Sequence, residues 1–205
     1  MRQTREEDGL QHNMPEAYDG RYADINFVFS YLSDGRLQWY GEVIEAFVEK
    51  SGIDLTGKRI ADVGCGLGNA LRYIYNNYDP GELFGFDFSK AALEWARQVL
   101  PEAKFKVHDL DNPLKGKYDV IMALEVFEHL CNPELVLQNL LDSLNDGGML
   151  FVTVPDGKTD GWFGHINFWT MSELEEFFGT KHVGQLDDIL LGVVIKEQAI
   201  LRRIK

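Results

Sequence analysis

A chain of 205 residues is long enough for one substantial hydrophobic core, and division into two independent domains would leave both undersized. Hydrophobic residues make up 45% and charged residues 26%, ordinary globular usage that disfavours both disorder and a membrane class. Asp and Glu number 33 against 20 Lys and Arg, and the resulting net charge of -13 repels polyanions; nucleic acid is a disfavoured substrate, the one dense basic cluster being Arg202, Arg203 and Lys205.

Residues 1–13 are polar and aperiodic, which predicts a flexible arm ahead of a single domain over 14–205. Residues 14–35 turn aromatic, with Tyr18, Tyr22, Phe27, Phe29 and Tyr31 at irregular spacing; they suit a lid over a cavity, and the pattern assigns them no regular element. Leu37, Tyr40, Val43, Ile44, Phe47 and Val48 recur at helical spacing, and Gly52 supplies the stop. Strands and helices then alternate. Lys58 to Val63 reads as a buried strand, Asn69 to Tyr78 as a helix, Glu82 to Asp87 as a strand, and Ala91 to Leu100 as a helix capped by Ser89. Strands follow at Phe105 to His108 and Tyr118 to Ala123, then a helix opened by Pro133 and running to Leu144, and a strand from Met149 to Val154 after the Asp146-Gly147-Gly148 turn. A Gly- and Trp-containing loop reaches Trp169, Thr170 and Glu173 are spaced as a capping box, and His182 to Leu186 and Ile189 to Ile195 form a hairpin across Asp187 and Asp188. Regular βα alternation predicts a Rossmann-like doubly wound α/β fold: a mostly parallel seven-stranded sheet, helices on both faces, closed by a C-terminal antiparallel hairpin.

No apolar run approaches the roughly 20 residues of a bilayer-spanning helix, and the first residues are charged, so the expected address is cytoplasmic, without membrane insertion. Cys65 and Cys131 form neither a CxxC pair nor a disulfide framework, and no metal site is expected. The pattern leaves a monomer and a homodimer equally open.

The chemistry concentrates where Ile60-Ala61-Asp62-Val63 runs into Gly64-Cys65-Gly66-Leu67-Gly68 at a helix start. Glycines there let the backbone turn sharply and bring a ligand against main-chain N–H groups, at the strand ends where open α/β sheets bind ligands. The same glycines also serve a plain strand-to-helix turn. The next strand ends in Asp87, a carboxylate suited to two ribose hydroxyls, although an acid there also caps the following helix. Asn69 stands where the dinucleotide fingerprint wants its third glycine, which disfavours a pyrophosphate and a nicotinamide oxidoreductase.

At these residues the chain resembles the class I S-adenosylmethionine-dependent methyltransferases, whose first motif is an acidic residue followed by Gly-x-Gly-x-Gly. The resemblance covers about Gly52 to Lys196, and its small-molecule branch of quinone-biosynthesis enzymes is similar in tone. It implies S-adenosyl-L-methionine as cofactor, with its methionine portion on Asp62 and the backbone of Gly64, Cys65, Gly66, Leu67 and Gly68, its ribose on Asp87 and its adenine beside Phe88. It further implies contacts from Asp109 and Leu110 to the adenine and from Leu124 and Glu125 to the sulfonium ligand's amino group; Tyr22 is a further candidate contact. Asp109 serves equally as part of a polar turn with Asp111 and Asn112. The segment Leu124 to Leu130 lacks the Asn/Asp-Pro-Pro-aromatic sequence of amino-directed DNA methyltransferases.

The expected reaction is methyl transfer to an oxygen or nitrogen of a small-molecule acceptor. His165 lies in the loop after the fifth strand among Trp162, Phe163, Phe168 and Trp169 and is the leading candidate base, with His129 a second candidate; both residue types serve equally in packing and loop hydrogen bonds. Glu128 and His129 alone make only two metal ligands. A non-catalytic S-adenosylmethionine-binding partner protein is the alternative function, since no unmistakable acid–base constellation is legible.

Overall fold

The computed structural model describes residues 3–4 and 13–197. The arm expected over 1–13 and the basic tail fall almost entirely outside those residues. Strand β1 (Gln3–Thr4) precedes helices α1 (Pro15–Ala23), α2 (Ile25–Tyr31) and α3 (Asp34–Ser51). The alternation follows as β2 (Arg59–Val63), α4 (Asn69–Asn77), β3 (Glu82–Asp87), α5 (Lys90–Val99), β4 (Lys104–Val107), β5 (Tyr118–Leu124), a 3-10 turn (Phe127–His129), α6 (Pro133–Asp142) and β6 (Leu144–Pro155). The chain closes through β7 (Asn167–Phe168), α7 (Met171–Phe178), β8 (His182–Leu186) and β9 (Ile189–Ile195).

Seven strands form one sheet in the order β4-β3-β2-β5-β6-β9-β8, as the alternation predicts. β2 to β6 pair in parallel, while β9 runs antiparallel to both β6 and β8. After β4 the chain returns to the other side of β2, so the direction of winding reverses between β2 and β5; a crevice opens there beyond the carboxyl ends of the strands. The period-two alternation of strand side chains divides the core between two faces. Ile60, Val120, Met122 and Phe151 pack under α3, α4 and α5 with Phe47, Leu71 and Leu93. Ala61, Ile121, Ala123 and Val152 pack on the other face under α6 and α7 with Leu137, Leu140 and Phe178.

Local chemistry sets the element ends. Gly52 adopts φ 69° to close α3, and the Ser89 hydroxyl accepts the Ala92 N–H at 3.1 Å to open α5. The Thr170 N–H donates to the Glu173 carboxylate at 3.0 Å, as the capping-box spacing predicts. The helix expected to reach Leu144 ends at Asp142, because Leu144 already pairs with Tyr118, ahead of an irregularity in the β5–β6 register.

The aromatic segment corrects the sequence reading: it is helical, not irregular. Pro15 sits in the first turn of α1, and the Asp24 carboxylate accepts the Asn26 N–H at 2.9 Å to start α2. Apolar periodicity is weak because the pair buries few positions, chiefly Tyr22 and Val28, against Leu67 and Ala92. Polar ties hold it down: Asp19 accepts from the Ser89 hydroxyl at 2.6 Å, Trp95 donates to the Tyr22 carbonyl, and Asn69 donates to the Tyr31 carbonyl. No helix among the described residues is long and apolar enough to cross a membrane.

Candidate active site

The glycine turn at the end of β2 is shaped by three left-handed residues, with φ of 65° at Gly64, 49° at Gly66 and 77° at Gly68. A side chain at Gly66 would meet strain at that φ, and its Cβ would lie 2.9 Å from the Tyr22 hydroxyl, so α1 lies close against the turn. Asp87, at the end of β3, accepts the Gly66 N–H at 2.9 Å through one carboxylate oxygen and the Ser89 N–H at 2.8 Å through the other. The acid is therefore both the clamp on the turn and a cap for α5. Beneath them Asp62 is buried, and desolvation together with the nearby Asp87 charge raises its carboxyl well above the usual range.

Past β5, Glu125 adopts φ 56°, uncommon for a residue with a side chain, and its N–H donates to the Thr153 hydroxyl at 3.0 Å. Burial pushes the Glu125 carboxyl up to about 7. The following 3-10 turn presents Glu128 and His129 and is anchored from outside: the Asn167 amide donates to the carbonyls of Phe127 at 2.9 Å and Leu130 at 2.7 Å, and Ile166 N–H donates to the Glu128 carbonyl. That last bond docks the loop carrying His165 onto the turn.

A cluster results that the linear sequence does not contain. His165 Nδ1 lies 2.6 Å from an Asp160 carboxylate oxygen, while its Nε2 faces Glu128 at 4.0 Å. His129 Nε2 lies 3.7 Å from the same Glu128 oxygen. Glu128 is fully buried, and among the described residues neither of its carboxylate oxygens has a hydrogen-bond partner. One ligand atom from each of Glu128, His129 and His165 falls within 4.8 Å of the others. Burial and the neighbouring His165 push the His129 imidazole down to about 3.

Turn and cluster share one cavity of about 1310 Å³. Gly64, Gly66, Asp87 and Phe88 line it together with Tyr18, Trp162, His129 and His165. A model of the family described as a methyltransferase domain matches residues 33–185, most of this chain. The chain belongs to that family. It has the fold of S-adenosylmethionine-dependent methyltransferases.

The methyltransferase is 31% identical over 104 residues to a trans-aconitate 2-methyltransferase of Variovorax paradoxus, a match covering 50% of this chain and 40% of the relative. The chain thus spans about two fifths of the length of the curated relatives it matches. Its fold is similar to that of magnesium protoporphyrin IX methyltransferase from Synechocystis with bound SAH (TM-score 0.62, 20% identity, 89% of this chain and 96% of that one). It is also similar to a DhpI–SAH complex (TM-score 0.67, 14% identity, 91% and 97%). These structural likenesses speak for the fold.

Most residues singled out from the methyltransferase's sequence meet in the cavity. Tyr22, Gly64, Gly66, Leu67, Asp87, Phe88, Asp109, Leu110, Leu124, Glu125, His129 and His165 all line it. Asp62, Cys65 and Gly68 stand back from its wall: Asp62 and Cys65 are buried, and Gly68 turns the chain into α4 against Phe105. Asp109 is exposed, and its carboxylate accepts the Asp111 N–H at 3.0 Å, so the polar turn weighed from the sequence is formed at the cavity's edge. Sequence reasoning missed Arg21, Arg36 and Asp160, which also line the cavity. The signal available was their setting: two arginines within an aromatic run of an acidic chain, and an acid five residues before a singled-out histidine.

Proposed function

We propose that this methyltransferase moves the methyl group of S-adenosylmethionine to an oxygen of a small acceptor bearing a carboxylate or a similar anionic group. The observation that carries the reading is one cavity lined both by the glycine turn and by Arg21. Arg36, packed on Tyr31 and Trp39, and the half-buried Glu125 suit the carboxylate and ammonium of the methionine portion. Arg21 packs on Tyr18 and Trp162 beside His129, where it would receive an acceptor anion. Asp87 is assigned to the ribose and Phe88 to the adenine side. The trans-aconitate relatives, named for a tricarboxylate, agree with an anionic acceptor.

In-line displacement breaks the methyl–sulfur bond as the acceptor oxygen forms the new one, and the bond pair leaves on sulfur. A carboxylate acceptor needs no proton removed; a hydroxyl acceptor does, and the group that would assist is His165, held by Asp160, while His129, pushed down to about 3, serves to position it. Positioning and exclusion of water by α1 and α2 supply much of the acceleration. The test is product detection by mass spectrometry across small carboxylates, trans-aconitate included, alongside neutral phenols and amines. Arg21→Ala is expected to raise the acceptor KM about tenfold, the loss of roughly one charge-assisted contact, with the cofactor KM unchanged. Methylation confined to neutral acceptors, or an acceptor KM indifferent to Arg21→Ala, refutes the anionic assignment.

A further inference from the structure

The Glu128 side chain has no evident purpose as it stands. A carboxyl taken wholly out of water is ordinarily hydrogen-bonded or paired, yet among the described residues both of its oxygens lack a hydrogen-bond partner, and Nδ1 of His129 is in the same condition. Two imidazoles face one oxygen of that carboxyl, at 3.7 and 4.0 Å. We propose that Glu128, His129 and His165 bind a divalent cation of the zinc class at the acceptor end of the cavity. The inference deepens the methyl-transfer reading and rests on it for the cation's use.

The donor set is the first support. Two neutral nitrogens and one carboxylate oxygen form a set that suits zinc and its borderline neighbours, whereas magnesium and calcium favour oxygen throughout. The spacing is the second. Ligand atoms around such an ion lie about 2.0–2.2 Å from it, so three donors already within 4.8 Å of one another close on it by small side-chain rotations. The third is the support behind the ligands. A metal-ligating histidine gives its other ring N–H to a carboxylate or carbonyl, and His165 presents Nδ1 to Asp160 while Nε2 faces the cluster. Backbone bonds position the rest: Asn167 fixes the 3-10 turn, and Ile166 brings the His165 loop against it.

Three protein ligands leave a fourth position, and all three residues line the cavity, so an oxygen of the acceptor is the natural occupant. The cation would orient that oxygen toward the sulfonium methyl and, with Arg21, balance the charge of an anionic acceptor. A hydroxyl held there releases its proton to solvent; its oxygen then forms the new bond to carbon while the methyl–sulfur pair leaves on sulfur. His165 in this arrangement is a ligand, not a free base.

The test uses the full chain, purified without a histidine tag, stripped with EDTA and dialysed. Calorimetric titration with Zn²⁺ is expected to show one ion per chain, and Co²⁺ is expected to give the visible absorption of a tetrahedral nitrogen–oxygen site. Glu128→Gln keeps the shape and hydrogen-bonding capacity of the side chain and removes the anionic ligand; it and His165→Ala are expected to abolish tight binding. Asp160→Asn is expected to weaken binding about 10- to 100-fold, as loss of the group behind a ligand does. His182→Ala, on the exposed edge strand β8, leaves affinity unchanged. Absence of binding, or affinity indifferent to Glu128→Gln in a variant whose melting shows it folded, overturns the proposal. SAH titration of the same stripped protein separates the two readings: SAH binding without Zn²⁺ binding defeats the cation alone, and failure to bind SAH defeats the methyl-transfer reading.

Discussion

Asp87→Asn isolates the role of one carboxylate in both the fold and the site. In the native chain its two oxygens accept the N–H groups of Gly66 and Ser89 at 2.9 and 2.8 Å. An asparagine keeps one acceptor oxygen and places an NH₂ against the other donor, so one charge-assisted bond is lost, worth about 1.5–3 kcal/mol. Relief of repulsion with the buried Asp62 opposes that loss and offsets part of it. In a chain of this size each kcal/mol moves the midpoint by about 2–4 °C, so thermal denaturation of the cofactor-free protein should fall by roughly 3–12 °C. Loss of a carboxylate acceptor for the ribose carries a similar free energy. SAH affinity measured by calorimetry, below the variant's melting range, should therefore drop roughly 10- to 100-fold. Affinity within twofold of the native protein would show that the clamp on the glycine turn is Asp87's whole function and that the ribose is held elsewhere.

Three further perturbations address the supports of the site. Gly66→Ala imposes a left-handed alanine and a contact with the Tyr22 hydroxyl, costing about 1–2 kcal/mol in chemical denaturation and weakening SAH binding; unchanged stability would mean that α1 moves freely off the turn. Asn167→Ala removes a donor from two carbonyls, those of Phe127 and Leu130, at about 1–3 kcal/mol, and urea titration with an unaltered midpoint would deny the 3-10 turn its anchor. Ser89→Ala removes the side-chain cap of α5 and one of the two bonds that tie Asp19 to it; about 1 kcal/mol of stability should go with faster proteolysis in residues 14–32, and an unchanged cleavage rate there would show that the hydroxyl bond is not what holds α1.

The core of the fold was legible because its signals are local. The apolar run ending in Gly64-Cys65-Gly66-Leu67-Gly68 marks a strand, a turn that needs left-handed residues, and a helix, and observed φ values at the three glycines are all positive. The strand ending in Asp87 and the Ser89 cap follow from short-range rules of the same kind. The segment over residues 14–32 failed for the converse reason: its helices are held by Asp19, Asn69 and Trp95 reaching across the chain, and no periodic stripe records such bonds.

The sequence by itself determined the sheet, the glycine turn and the family, because each depends on residues adjacent in the chain or repeated at a fixed period. Tertiary structure alone decided the cluster proposed as the acceptor end. Only folding brings His165 and Asp160 onto a turn that carries Glu128 and His129, and sets Arg21 over Trp162 beside them. The physical reason is that a buried charge takes its character from whatever the fold packs against it: Glu128 reads in sequence only as half of a Glu-His pair, and its burial beside two imidazoles exists only once the loop after β6 is packed against it.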